Sequence, residues 1–216
     1  RNHVLDALQL QATRDDRTLF AGLSFRLSPG QVMQVAGPNG SGKTTLLNGI
    51  AGLFPLDSGE LHWQGRKVTD DPLAFRRAFS WLGHQAGLKL MLTPLENLAW
   101  LSQLRGNVAD KKVMQSALEK VGLYGYEEVP LAHLSAGQKR RVGLARLFVE
   151  KSPVWILDEP FTAIDRQGVG ELEGWLQEHA ATGGMVLLTT HHEFAVGFPL
   201  QRLDVSAFRP HEELSE

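Results

Sequence analysis

The chain has 216 residues, 43% hydrophobic and 21% charged, which suits one sizeable globular core rather than a fibrous or disordered chain. Lys plus Arg is 22 against 24 Asp plus Glu, so the net charge is −2 and no broad basic field points to nucleic acid. Cysteine is absent, which excludes disulfides, thiolate metal sites and a cysteine nucleophile, and fits a reducing compartment.

In chain order, Leu23, Phe25 and Leu27 alternate with polar residues and stop at the Pro29-Gly30 turn signal, predicting a strand. Val32 to Val35 predicts a short strand that runs into a glycine-rich segment, after which Thr44 to Ile50 carries apolar residues at helical spacing. Gly59 to Val68 reads as a hairpin with Leu61 and Trp63 on one face, and Phe79 to Leu82 as a strand. Thr93-Pro94-Leu95-Glu96 is a capping-box start with proline at the first helical position, and a second helix is expected over Ala109 to Val121. Buried strands follow at 154–157 and 185–190. The longest apolar stretches, Val154–Leu157 and Met185–Leu188, are strand length, far short of the ~20 residues of a spanning helix. The first residues carry no signal-peptide apolar region. The expectation is one α/β core interrupted by a helical insertion.

Gly37-Pro38-Asn39-Gly40-Ser41-Gly42-Lys43-Thr44 matches G-x-x-x-x-G-K-[ST] between a predicted strand and a predicted helix. Glycines let the backbone wrap closely, so that successive N–H groups and the helix dipole point at phosphate oxygens. Lys43 is expected on the β and γ phosphates, the Thr44 hydroxyl on Mg²⁺, and Thr45 near the α phosphate. Val154 to Leu157 ends in Asp158 and Glu159, at the C-terminal strand end where ligands sit in open α/β sheets. Asp158 suits Mg²⁺ through water, and Glu159 suits polarising the attacking water. Ser135-x-x-Gln138 is a capping box for a helix through Val142, Ala145 and Phe148. A capped, glycine-containing helix start is also an anion site suited to a γ phosphate.

Together these motifs resemble the ATP-binding cassette (ABC) ATPases. Leu134-Ser-Ala-Gly-Gln138 is similar to that family's signature, with Ala136 where a glycine is usual; Gln85 resembles the Q-loop glutamine, Phe161 to Asp165 the D-loop and His191 the switch histidine. The resemblance covers nearly the whole chain. It implies a P-loop NTPase core with a mostly parallel sheet, an N-terminal antiparallel β subdomain and an inserted α-helical subdomain. The whole of 1–216 is then one domain, with 1–86 and 135–216 as the catalytic lobe and 87–134 as the insertion. It implies ATP with Mg²⁺ held by Thr44, Gln85 and Asp158, and catalysis by Glu159, His191 and Gln85. It also implies a head-to-tail dimer in which Ser135, Gly137 and Gln138 of a second copy close the site, with Asp165 at the seam. One feature departs from the family: the position of its adenine-stacking aromatic falls near Arg14-Asp15-Asp16-Arg17, leaving an arginine plane or Phe20 as substitutes.

No long coiled coil separates Gln85 from Ser135, and no second cassette is present, which favours a transporter subunit docking on integral membrane partners. Arg17 to Phe25, Trp81 to Leu88, Leu92 to Leu98, Leu134 to Arg146 and Trp155 to Asp165 resemble ATP-binding subunits of the bacterial cytochrome c maturation (Ccm) haem transporter. That resemblance implies a peripheral place on the cytoplasmic face of the inner membrane, with hydrolysis serving release of a haem-loaded chaperone. His84, His133 and His192 are scattered singly, so direct haem binding is not expected. A transporter ATPase for another cargo, or a soluble ATP-gated clamp, are the alternatives.

Overall fold

The computed structural model describes residues 3–84 and 87–211. Its centre is a five-stranded sheet of β3 (Val32–Ala36), β6 (Phe79–Leu82), β7 (Val154–Asp158), β8 (Met185–Thr189) and β9 (Leu200–Asp204), in the order β6-β7-β8-β3-β9. Every pairing in it is parallel, for instance Val154 with Met185 and Val32 with Val186. All five residues of β7 and of β8 are buried, as expected of apolar runs covered on both faces.

Side-chain alternation decides which face each residue meets. Ile156, Leu187, Met33 and Val35 share one cluster with α1 (Lys43–Ile50) and with the second sheet. Trp155, Leu157, Val186 and Leu188 join the other cluster, against α3 (Pro94–Leu104), α4 (Lys111–Lys120), α5 (Ala136–Glu150) and α6 (Arg166–Ala181). The second sheet is antiparallel, β2-β1-β4-β5, from β1 (Leu5–Arg14), β2 (Arg17–Leu27), β4 (Ser58–Trp63) and β5 (Arg66–Lys67). The expected N-terminal antiparallel part and helical insertion are both present.

The differences are local. Strand β1 escapes a period-two reading because its register slips at Gln9, whose φ is +53°: Leu5 and Ala7 face the core, then Leu10 and Ala12. The second insertion helix is shorter than expected, starting after Asp110, whose carboxylate caps the Lys112 N–H. Strand β8 ends one residue early, at Thr189. The short helix α2 (Pro72–Ala78) and helix α6 add to the expected elements; Asp71 and Asp165 cap them.

Candidate nucleotide site

The loop from Gly37 to Gly42 joins β3 to α1, and its glycines 37, 40 and 42 all have positive φ. At Gly42, φ +105°, a Cβ would also sit 3.1 Å from Leu19 and 3.2 Å from the Phe20 ring. No side chain caps α1, so its first N–H groups face the cleft without a side-chain partner. Ser41 Oγ is buried with no hydrogen-bond partner. An orphan hydroxyl beside an uncapped helix start and Lys43 is a cradle fitted to an anion.

The cleft above the loop holds about 420 Å³ and is lined by Asn39, Gly40, Gly42, Lys43, Thr44 and Thr45 on one side and by Asp158, Glu159, Thr189 and His191 on the other. Gly37, Pro38 and Ser41 do not line it. A larger cavity of about 610 Å³ lies at the opposite, N-terminal ends of β7 and β8, beside Trp155 and Trp175. None of the expected site residues lines it, whereas both acidic residues and the phosphate loop converge on the smaller cleft.

Asp158 ends β7 and is 2% exposed. Its Oδ1 accepts a hydrogen bond from the Thr189 hydroxyl and lies 3.5 Å from Thr44 Oγ1. No cluster of three His, Cys, Asp or Glu able to hold a metal exists among the described residues. One carboxylate and one hydroxyl fit Mg²⁺, a hard cation that takes most of its oxygen ligands from phosphate and water. Glu159 has a left-handed backbone, φ +51°, pinned by its N–H to Thr189 O at 3.1 Å and Thr189 Oγ1 at 3.0 Å. The turn brings its carboxylate to the chain after β8: Oε1 accepts from the His191 N–H at 2.8 Å, with His191 Nε2 3.7 Å away. Gln85 lies outside the described residues; Gly83 and His84 lead to it from β6, and His84 lines the cleft.

Ser135, Gly137 and Gln138 do not line this cleft. They open α5 with a reciprocal cap: Ser135 Oγ accepts from Gln138 N–H at 3.1 Å, and Gln138 Oε1 accepts from Ser135 N–H at 2.9 Å. Ala136 is exposed, so its methyl meets no wall, whereas a Cβ on Gly137 would lie 2.8 Å from the Ala163 carbonyl. That packing sets the signature against the 161–165 loop. Asp165 caps α6 through the Gly168 N–H at 2.9 Å and stands 3.6 Å from Arg141 Nη2.

Phe20 is fully buried against Gly42 and is not available to stack on a base. Arg17 is held by the phosphate loop, donating from Nη2 to Gly40 O at 2.7 Å. Arg14 lines the cleft beside Leu19. Thr189 and Arg140 went unread in the sequence. Thr189 closes an otherwise apolar run, a polar residue at a strand's ligand end. Arg140 sits in Lys139-Arg140-Arg141, which reads as a solvated basic face, yet it is only 7% exposed; its spacing to Leu144 and Leu147 puts it on the buried stripe.

A family model described as ABC transporter matches residues 20–162. A cytochrome c biogenesis ATP-binding export protein CcmA of Hahella chejuensis is 51% identical over 205 residues, covering 94% of this chain and 96% of its own. The chain belongs to the ABC transporter family, among its CcmA members. A CcmA of Vibrio cholerae is 48% identical over 199 residues, covering 92% of this chain and 96% of its own. Among solved ABC structures, a putative ATP-binding protein of Pyrococcus furiosus superposes with a TM-score of 0.81 at 23% identity, over 96% of this chain and all of the other. Another, an ATP-binding subunit of an ABC transporter, gives 0.78 at 26% identity over 87% of this chain and 79% of that one.

Proposed function

We propose that this chain is the ATP-binding and hydrolysing subunit of a bacterial ABC exporter serving cytochrome c maturation, with haem the cargo that the family resemblance implies. The observation that carries the hydrolytic part is the Glu159 carboxylate, fixed by the His191 N–H at the mouth of the cleft that also presents Lys43 and Asp158. The near-full-length identity to CcmA proteins supports the biological setting.

In this reading the backbone N–H groups of Gly40 and of Gly42 to Thr45, with the Lys43 ammonium, bind the phosphates, and the Ser41 hydroxyl gains the partner it lacks. Thr44, Asp158 and Gln85 hold Mg²⁺, which supplies neutralisation of charge on the transferred phosphoryl group. Glu159 accepts the proton of the attacking water, and His191 orients Glu159. Ser135, Gly137 and Gln138 of a second copy close the cleft, because no residue of this chain's own signature reaches it. Asp165, exposed beside Gly168, then lies at the seam.

No helix among the described residues is long and apolar enough to cross a membrane. A cleft of about 350 Å³, lined by Leu53, Leu73, Trp81 and Leu104 together with Arg76, Arg77, Arg105 and Arg146, joins the insertion 87–134 to the catalytic lobe 1–86 and 135–216. Leu53, Leu73 and Leu104 are each more than half exposed, an apolar lip suited to an integral membrane subunit. The proposed location is the cytoplasmic face of the inner membrane.

The test is Glu159→Gln. It should bind ATP as the parent does, accumulate as a dimer by size-exclusion chromatography with ATP, and hydrolyse ~10²–10⁴-fold more slowly. Full turnover by this variant would remove Glu159 from catalysis.

A further inference from the structure

Arg140 lies one turn into α5, 7% exposed, and carries a charge with no ion-pair partner among the described residues. Its guanidinium reaches three backbone carbonyls instead. Nη1 donates to Gly83 O at 3.2 Å, and Nη2 donates to Asp158 O at 3.0 Å and to Glu159 O. Those carbonyls close the C-terminal ends of β6 and β7, so one planar fork joins the approach to Gln85 with the acidic pair. Nε is buried without a partner. Burial pulls the guanidinium's pKa down, opposed by the Asp158 and Glu159 carboxylates.

Burying such a charge is costly, and an apolar residue of similar volume would commonly stabilise the core as well or better. The carbonyls it holds suggest what offsets that cost. Glu159 has the left-handed backbone at φ +51° that non-glycine residues avoid. Its peptide is gripped on the N–H side by Thr189 and on the carbonyl side by Arg140. With both sides fixed, the Cα–Cβ direction is fixed too, and the carboxylate is delivered to the His191 N–H. The helix that provides this grip starts at Ser135, the residue assigned to the partner's nucleotide.

We propose that Arg140 is a positioning residue for Glu159: it ties the signature helix of each copy to that copy's own acidic turn, so that closure of one composite site adjusts the other. This rests on the ATPase reading above. Arg140→Gln in the full chain should lower kcat about 100-fold, the scale of a 1 Å misplacement. Affinity for a fluorescent non-hydrolysable ATP analogue should stay within about threefold, because the phosphate loop is untouched. Arg140→Lys, which keeps the charge but loses the fork, should fall between parent and Arg140→Gln. Unchanged kcat in either variant overturns the proposal. So does a loss of analogue affinity in parallel with kcat, which marks a purely structural role. If Arg140→Gln does not fold, Arg140→Lys decides alone by the same split. Glu159→Gln separates the two ideas: full turnover there defeats the ATPase reading itself, whatever Arg140 does.

Discussion

Two single side chains carry predictions of their own. Arg14 lines the cleft and, in the proposed reading, is the residue left to meet the base once Phe20 is packed on Gly42 and Arg17 is tied to Gly40. A guanidinium plane over a purine is worth ~0.5–1 kcal/mol at an exposed site. Arg14→Ala should therefore weaken ATP binding about threefold in a fluorescent-nucleotide titration, with little change in kcat; unaltered affinity would place the base elsewhere. His179 stacks on Trp155 at 3.8 Å, with Nε2 2.9 Å from Pro153 O. Burial holds its pKa below the ordinary 6.5, outweighing the backbone hydrogen bonds that favour the charged ring. The folded state thus prefers the neutral imidazole. As pH falls below 6.5 the unfolded chain takes up a proton that the folded chain refuses, so stability declines until the lower folded pKa is passed, and is fully present above 6.5. The melting temperature should drop across that acidic window, and His179→Gln should flatten the drop; an identical slope in both proteins would contradict this.

At the scale of elements, the joint between the insertion and the core is ionic. Arg105, the C-cap of α3, reaches Phe79 O at 2.7 Å, Ser152 Oγ at 3.0 Å and Glu150 Oε2 at 2.8 Å. The Glu150 side chain is 4% exposed and also pairs with Arg146. Arg105→Ala leaves a buried carboxylate with one cation instead of two, and should cost about 3 kcal/mol in urea denaturation. A loss under about 1 kcal/mol would show that Arg146 and Ser80 suffice. Such joints are invisible to pattern reading, because Arg105 and Glu150 lie far apart in sequence and each looks like a surface residue. What could be read were elements whose signals are local: the Thr93 and Ser135 capping boxes, the apolar runs of β7 and β8, the phosphate loop. Strand β1 was obscured by its bulge at Gln9, and α6 lacked a clean stripe because Gly168, Gly170 and Gly174 interrupt it. The candidate site was legible for the same reason as the strands. Its residues sit at strand ends and helix starts, where motif and element coincide. Arg140 and Thr189 were missed because what they touch belongs to other elements: backbone carbonyls for Arg140, the Asp158 carboxylate and the Glu159 N–H for Thr189.

The whole molecule is, in the proposed reading, half of an assembly, and Ser135 shows how one atom can serve both halves. Its oxygen accepts the Gln138 N–H to start α5. A hydroxyl has one proton and two lone pairs, so this bond leaves the proton free to donate outward. Aspartate caps helices as well as serine but has only lone pairs and charge to show a phosphate. Ser135→Asp should keep the parent's melting temperature and monomer binding of ATP, yet fail to dimerise with ATP in a Glu159→Gln background. Dimerisation by that double variant would disprove the composite site. The cap therefore works as a hinge between two kinds of requirement: the lone pair is answerable to folding, the proton to a neighbour. A drift at this position that satisfies the first can silence the second without a trace in the stability of the isolated chain.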